Sequence, residues 1–237
     1  MRIKNENIFR VIAGVSLVMN VLLVSYFIHE RITQKNSIAA AKVATNVLFS
    51  DDYGQDDIVF LGEERMQLCN WNALMGRRDI ANLAFYRNTV EDEKKRIDML
   101  FGKEQKPSQV VLMLGMADLE NGVPVNEVMN RLDLYVDTLR SVLTETEILM
   151  ISPLPFVPGK SRFYKNVTKE NLQAFSLMQK MYARENDIAY VDLYNEFKDN
   201  DGALKPEYDF GDEFHLSLSG YQVWMNWLKP YLRRIED

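Results

Sequence analysis

Few groups in this chain can act as nucleophile, base or metal ligand. There is one cysteine, Cys69, and there are two histidines, His29 and His215. A lone thiol closes no internal disulfide and builds no cysteine-based zinc site, and two imidazoles make no multi-histidine centre. No metal and no other cofactor is expected. What remains is nucleophilic or acid–base chemistry. Glu64 or Asp118 with His215 would make an acid–base pair for a glycan or a phosphoester, if the fold brings them together. Among hydroxyls and thiols, Cys69 reads as a core residue, and Ser152 ends a strand where a structural hydrogen bond is expected. Ser217 and Ser219 follow His215 and are expected to cap the last helix.

The elements that must position these groups begin at Asp56. Short apolar runs at 57–62 (DIVFLG), 79–84 (DIANLA), 110–115 (VVLMLG), 147–155 (EILMISPLP) and 188–194 (IAYVDLY) read as strands. Their near-continuous hydrophobicity suits a parallel sheet buried on both faces. Between them run helical patterns over 63–75, 89–101, 125–143 and 166–186, with a closing helix over 217–234. In the third of these, Val128, Leu132, Tyr135, Val136 and Leu139 share one face. Strict alternation predicts an α/β sandwich with a five-stranded parallel sheet, whose ligands bind beyond the carboxyl ends of the strands.

At 237 residues the chain has room for one domain plus an appendage, and its 47% hydrophobic content supports a packed core. The net charge of −6 argues against a nucleic-acid partner. That charge is uneven: residues 1–55 carry a net +2 and residues 56–237 a net −8. Residues 11–28 are eighteen uncharged residues, long enough as a helix to cross a bilayer, with Tyr26 and Phe27 at the interfacial position. A cleaved signal peptide would have a shorter apolar run and a nearer small-residue site than Ala39-Ala40-Ala41. A buried core helix at the terminus, beside Arg2, Lys4 and Arg10, would be unusual. The expected layout is a cytoplasmic 1–10, a single-pass transmembrane anchor at 11–28, a stalk at 29–55 and a domain at 56–237 facing outward from the inner membrane.

Four short motifs follow the strands: Gly62-Glu63-Glu64, Asn82-Leu83-Ala84, Gly115-Met116-Ala117-Asp118 and Asp212-Glu213-Phe214-His215. In order and spacing they resemble the four blocks of the SGNH/GDSL hydrolase family, Gly-Asp-Ser, Asn-x-Gly, Gly-x-Asn-Asp and Asp-x-x-His. The closing stretch HLSLSGYQVWMNWLKPYL resembles that family's His-Leu-Ser-x-x-Gly-Tyr helix. The resemblance spans about residues 56–235 and is closest in style to bacterial esterases similar to platelet-activating-factor acetylhydrolase. It implies a three-layer, flavodoxin-like sandwich and acyl-ester cleavage. It also implies roles for His215 as general base and Asp212 as its orienting partner.

The same resemblance exposes a departure. The nucleophile position holds Glu64, and the oxyanion-hole positions hold Glu64, Ala84 and Ala117 in place of serine, glycine and asparagine. A carboxylate cannot form the ordinary ester intermediate. Loss of a nucleophile costs about 10⁶ in turnover, and loss of a side-chain oxyanion donor about 10²–10³. Ordinary serine-esterase activity is therefore not expected. Glu64, at a helix N-terminus, is expected to fill the old pocket and ion-pair with a protonated His215; the alternative is that it points to solvent beside Glu63 and Arg65. Two classes of function follow. One is a membrane-tethered, non-catalytic domain that binds an acylated glycan or an envelope protein through Asn82, Asp118 and Phe214, with Phe85 and Tyr86 nearby. The other is a divergent hydrolase of O-acyl groups that uses Asp212 and His215.

Overall fold

The computed structural model describes residues 57–101, 106–161 and 163–234, together with 19, 24–26, 28 and 29. The chain divides into two compact units, Met1–Val47 and Leu48–Asp237. In the first, the described residues are helical and exposed. Among the described residues no helix is long and apolar enough to cross a membrane. The expected segment 1–10 and the expected stalk 29–55, apart from His29, lie outside the described residues, as does most of 11–28.

The second unit carries five parallel strands, β1 (Ile58–Gly62), β2 (Ile80–Asn82), β3 (Gln109–Met113), β4 (Glu147–Ile151) and β5 (Ala189–Val191), in the order β2-β1-β3-β4-β5. The apolar runs are strands because both faces are covered. Val59, Leu61, Val110, Leu112 and Met150 belong to one core; Ile58, Phe60, Val111, Met113, Leu149, Ile151 and Val191 belong to the other. This odd–even split is the side-chain alternation of a strand sandwiched between two helical layers.

The helices are α1 (Glu64–Gln67), α2 (Trp71–Met75), α3 (Val90–Lys94), α4 (Ile97–Leu100), α5 (Met116–Glu120), α6 (Val125–Val142), α7 (Lys169–Glu185), α8 (Leu193–Phe197) and α9 (Leu218–Leu228). The single helix expected over 63–75 is two. The Asn70 side chain caps α2 by accepting from Ala73 N. Asn82 Nδ2 donates to the Met66, Gln67 and Cys69 carbonyls at the end of α1. The 89–101 pattern likewise divides into α3 and α4, the first opened by a capping box between Thr89 and Asp92.

The strand order reverses between β1 and β3, so the chain segments leaving these two strands flank the crevice where such sheets bind ligands. Gly115, at φ 117° just past β3, is required by conformation and by space: a Cβ there would run into the Phe175 ring. This turn brings the amides of 115 and 117 over the end of β1.

Candidate functional site

Glu63, Glu64 and Arg65 leave β1 directly into α1, and all three are buried. The expectation of a solvent-facing Glu64 is thereby corrected. Glu63 Oε1 accepts from Gly115 N at 2.9 Å and Ala117 N at 3.2 Å, tying the end of β1 to the β3 turn. Glu64 Oε2 accepts from the Tyr164 hydroxyl at 2.8 Å and from Arg87 N at 3.2 Å. Glu64 Oε1 is buried without a hydrogen-bond partner among the described residues. The Tyr164 hydroxyl also lies 3.3 Å from Glu63 Oε2. Burial, then the adjacent Glu64 charge, pushes Glu63 up to about 8. The buried Arg65 guanidinium draws the Glu63 carboxyl the other way and offsets part of this rise. Arg65 donates to the Leu154 and Pro155 carbonyls at 2.7 Å each and lies 4.5 Å from the Phe214 ring centre.

Asp212 and His215 form the second half of the site. His215 Nδ1 is 2.6 Å from Asp212 Oδ2, and Asp212 Oδ1 accepts from His215 N at 2.8 Å. Burial raises the Asp212 carboxyl, but the His215 ring and the backbone donors outweigh it and hold it below the usual carboxylate range. The imidazole packs edge-on against Phe163 and Phe214, with ring centres 4.8 and 5.0 Å away. Tyr164 stacks on the other ring of this cluster, Phe214, at 5.1 Å. The aromatic cluster therefore joins the two halves. The expected ion pair between Glu64 and His215 is absent: His215 pairs with Asp212, and Glu64 takes the Tyr164 hydroxyl and Arg87 amide instead.

The other expected residues sort by burial. Ala84 N donates to Asn82 Oδ1 at 3.3 Å and Ala117 N to Glu63, so amides at two of the expected oxyanion-hole positions are engaged within the fold. Asn82, Asp118 and Phe214, expected as ligand contacts, all make contacts within the fold. Asn82 clamps α1 to β2. Asp118 is fully buried, accepting from Val90 N at 2.9 Å and Arg131 at 3.0 Å. Phe214 is enclosed by Arg65, Phe156, Phe163 and Tyr164. Ser152 Oγ accepts from Tyr194 N, and Ser217 caps α9. Burial pushes the Cys69 thiol up to about 12, far from a reactive thiolate. Among the described residues no group of three or more His, Cys, Asp or Glu is arranged to hold a metal ion.

Three participants were not singled out from sequence: Glu63, Arg87 and Tyr164. Arg87 and Tyr164 sit in loops at positive φ, 52° and 49°. Such backbone is uncommon outside glycine and concentrates at functional sites, but no residue pattern announces it. A groove of about 340 Å³ opens over this centre, walled by Glu64, Tyr86, Arg87, Glu120, Phe163 and Lys165.

Residues 54–223 match the model of the GDSL-like Lipase/Acylhydrolase family. A Streptococcus pneumoniae structure described as a platelet activating factor aligns with a TM-score of 0.74 at 23% identity, covering 84% of this chain and 96% of that one. A GDSL-like lipase of Bacteroides thetaiotaomicron aligns at 0.64 and 18%, covering 75% of this chain and 87% of its own. The lipase/acylhydrolase of Enterococcus faecalis aligns at 0.56 and 18%, covering 77% and 100% respectively. At these identities the structural likeness speaks for the fold. No protein of curated function matches the chain.

Proposed function

Since this chain belongs to the GDSL-like lipase/acylhydrolase family, we propose that it keeps the family's cleft but binds a ligand there without cleaving it. One observation carries the reading. At the position of the attacking serine, Glu64 is buried and held by the Tyr164 hydroxyl and the Arg87 amide. An acid so placed offers no hydroxyl to acylate. Ala117 removes the side-chain donor from the oxyanion hole, and among the described residues no hydroxyl is hydrogen-bonded to the His215 ring.

The ligand in this reading is an acylated glycan or an envelope component, presented outside the cell on a membrane-anchored domain. Supporting the anchor are the eighteen uncharged residues 11–28 and the basic Arg2, Lys4 and Arg10 before them. Alkaline extraction of membranes and protease access from the outer side test that placement; release of the intact chain by alkali would refute it.

A second reading, a divergent hydrolase, draws on the dyad itself. Asp212 and His215 keep a 2.6 Å hydrogen bond, the geometry of an oriented base. The two readings part in one assay. The purified full chain is tested on p-nitrophenyl acetate and on an acetylated xylan, beside His215→Ala. Turnover by wild type that disappears in His215→Ala overturns the non-catalytic reading; background rates in both support it.

A further inference from the structure

The groove over Glu64 has an unusual balance for an acyl-binding cleft. Its described walls carry two acids, Glu64 and Glu120, and two bases, Arg87 and Lys165. Arg87 and Glu120 face each other at 3.6 Å, a long contact, and the arginine is about half exposed, at 47%. The arginine end of such a contact is weakly held, whereas Glu120 is buried and its Oε2 accepts from Asn166 N at 2.7 Å, so the acid stands fixed in the wall. Tyr86 is exposed at the rim and Phe163 forms part of the wall, so aromatic faces border the polar floor. Glu64 Oε1 is buried with no hydrogen-bond partner among the described residues. An acceptor in that state costs free energy until a donor reaches it.

These features favour no net charge in the ligand. A carboxylate or phosphate gains from Arg87 and Lys165 what it loses against Glu64 and Glu120, and an ammonium the reverse. An alkyl chain needs a continuous apolar wall, and charged groups from both sides interrupt this one. A neutral molecule rich in hydroxyls satisfies all four side chains: its O–H groups donate to the acids, its oxygens accept from the bases, and its C–H face lies on an aromatic ring. About 340 Å³ falls within the range of small-ligand sites.

We infer that this groove takes a neutral carbohydrate, with Glu64 and Glu120 accepting from its hydroxyls, Arg87 and Lys165 donating to its oxygens, and Tyr86 bearing the sugar face. The inference rests on reading residue 64 as a ligand-holding group and deepens the proposal above by naming the ligand class.

The test titrates the full chain by calorimetry with xylotetraose and chitotetraose as neutral probes, decanoate as an acyl chain and spermidine as a polyamine. Wild type is compared with Tyr86→Ala, Glu64→Leu and Arg87→Ala, each first checked for native circular dichroism. Saturable binding of a neutral oligosaccharide is expected, weakened about tenfold or more in Tyr86→Ala and in Glu64→Leu. If Glu64→Leu does not fold, Arg87→Ala stands in for it with the same expectation. No oligosaccharide binding up to about 10 mM overturns the inference. So does oligosaccharide binding that these variants leave unchanged, and so does binding confined to decanoate or spermidine. Ester hydrolysis by wild type would remove the non-catalytic reading alone; oligosaccharide binding in the groove would still stand.

Discussion

The Tyr164 hydroxyl donates to Glu64 Oε2 at 2.8 Å and lies 3.3 Å from Glu63 Oε2, so one phenol serves two buried carboxyl groups. A hydroxyl has one proton to give. For both contacts to be hydrogen bonds, one glutamate must hold a proton, and Glu63, buried and beside the Glu64 charge, is pushed up to about 8. Glu64 is thus fixed by a residue a hundred positions away.

Tyr164→Phe keeps the ring stacked on Phe214 and removes the donor from Glu64. A buried carboxylate then loses one of two partners, at a cost of about 1–3 kcal/mol. Urea unfolding of the full chain measures it. An unchanged midpoint would mean that the hydroxyl does not hold Glu64.

Glu63 makes stability depend on pH. Its unfolded-state value is the ordinary one, near 4.5, and its folded value is raised to about 8. The folded state therefore binds more proton between these limits, and its stability declines as pH rises through that window. Below about 4.5 the penalty is absent; above about 8 it is complete. Glu63→Gln is neutral at every pH and keeps an oxygen for the Gly115 and Ala117 amides. Its unfolding free energy, relative to wild type, is expected to rise across the window by up to about 1.4 kcal/mol per pH unit. Parallel wild-type and variant curves would contradict the assignment.

Restoring the missing chemistry tests whether the cleft is a former esterase site. Glu64→Ser is expected to gain acetyl-ester hydrolysis that depends on His215. Adding Ala117→Asn should raise turnover by about 10²–10³, the worth of one oxyanion donor. If the double variant is no faster than the single one, residue 117 does not face the developing oxyanion.

Gly115→Ala places a methyl group against the Phe175 ring at a φ of 117°. Overpacking and backbone strain together predict a loss of about 2–4 kcal/mol. A thermal or urea midpoint equal to wild type would show that the turn after β3 can relax.

The Cys69 thiol, pushed up to about 12 by burial, is expected to react with iodoacetamide at pH 8 far more slowly in the native chain than in the unfolded one. Equal rates would return it to the set of candidate nucleophiles.

The residues themselves determined the sheet, because the part of a strand covered by helices on both faces must be apolar, and Ile58–Gly62, residues 110–113 and residues 148–151 are. They also determined the Asp212–His215 pair: the two lie three positions apart, within reach of a single turn. The helix breaks were partly legible. Asn70 is a capping residue by type, but the clamp of Asn82 on the Met66, Gln67 and Cys69 carbonyls comes from another strand.

What only the tertiary structure decided is the company kept by Glu63 and Glu64. From sequence, Glu64 is expected to ion-pair with His215, the alternative being that it faces solvent beside Glu63 and Arg65. The fold buries all three and supplies Tyr164, Arg87 and the Gly115 turn as partners. A buried carboxyl takes whichever donor the packed chain brings within reach. That choice is set by loops at positive φ and by contacts across some twenty to a hundred residues, and local residue patterns contain no record of it.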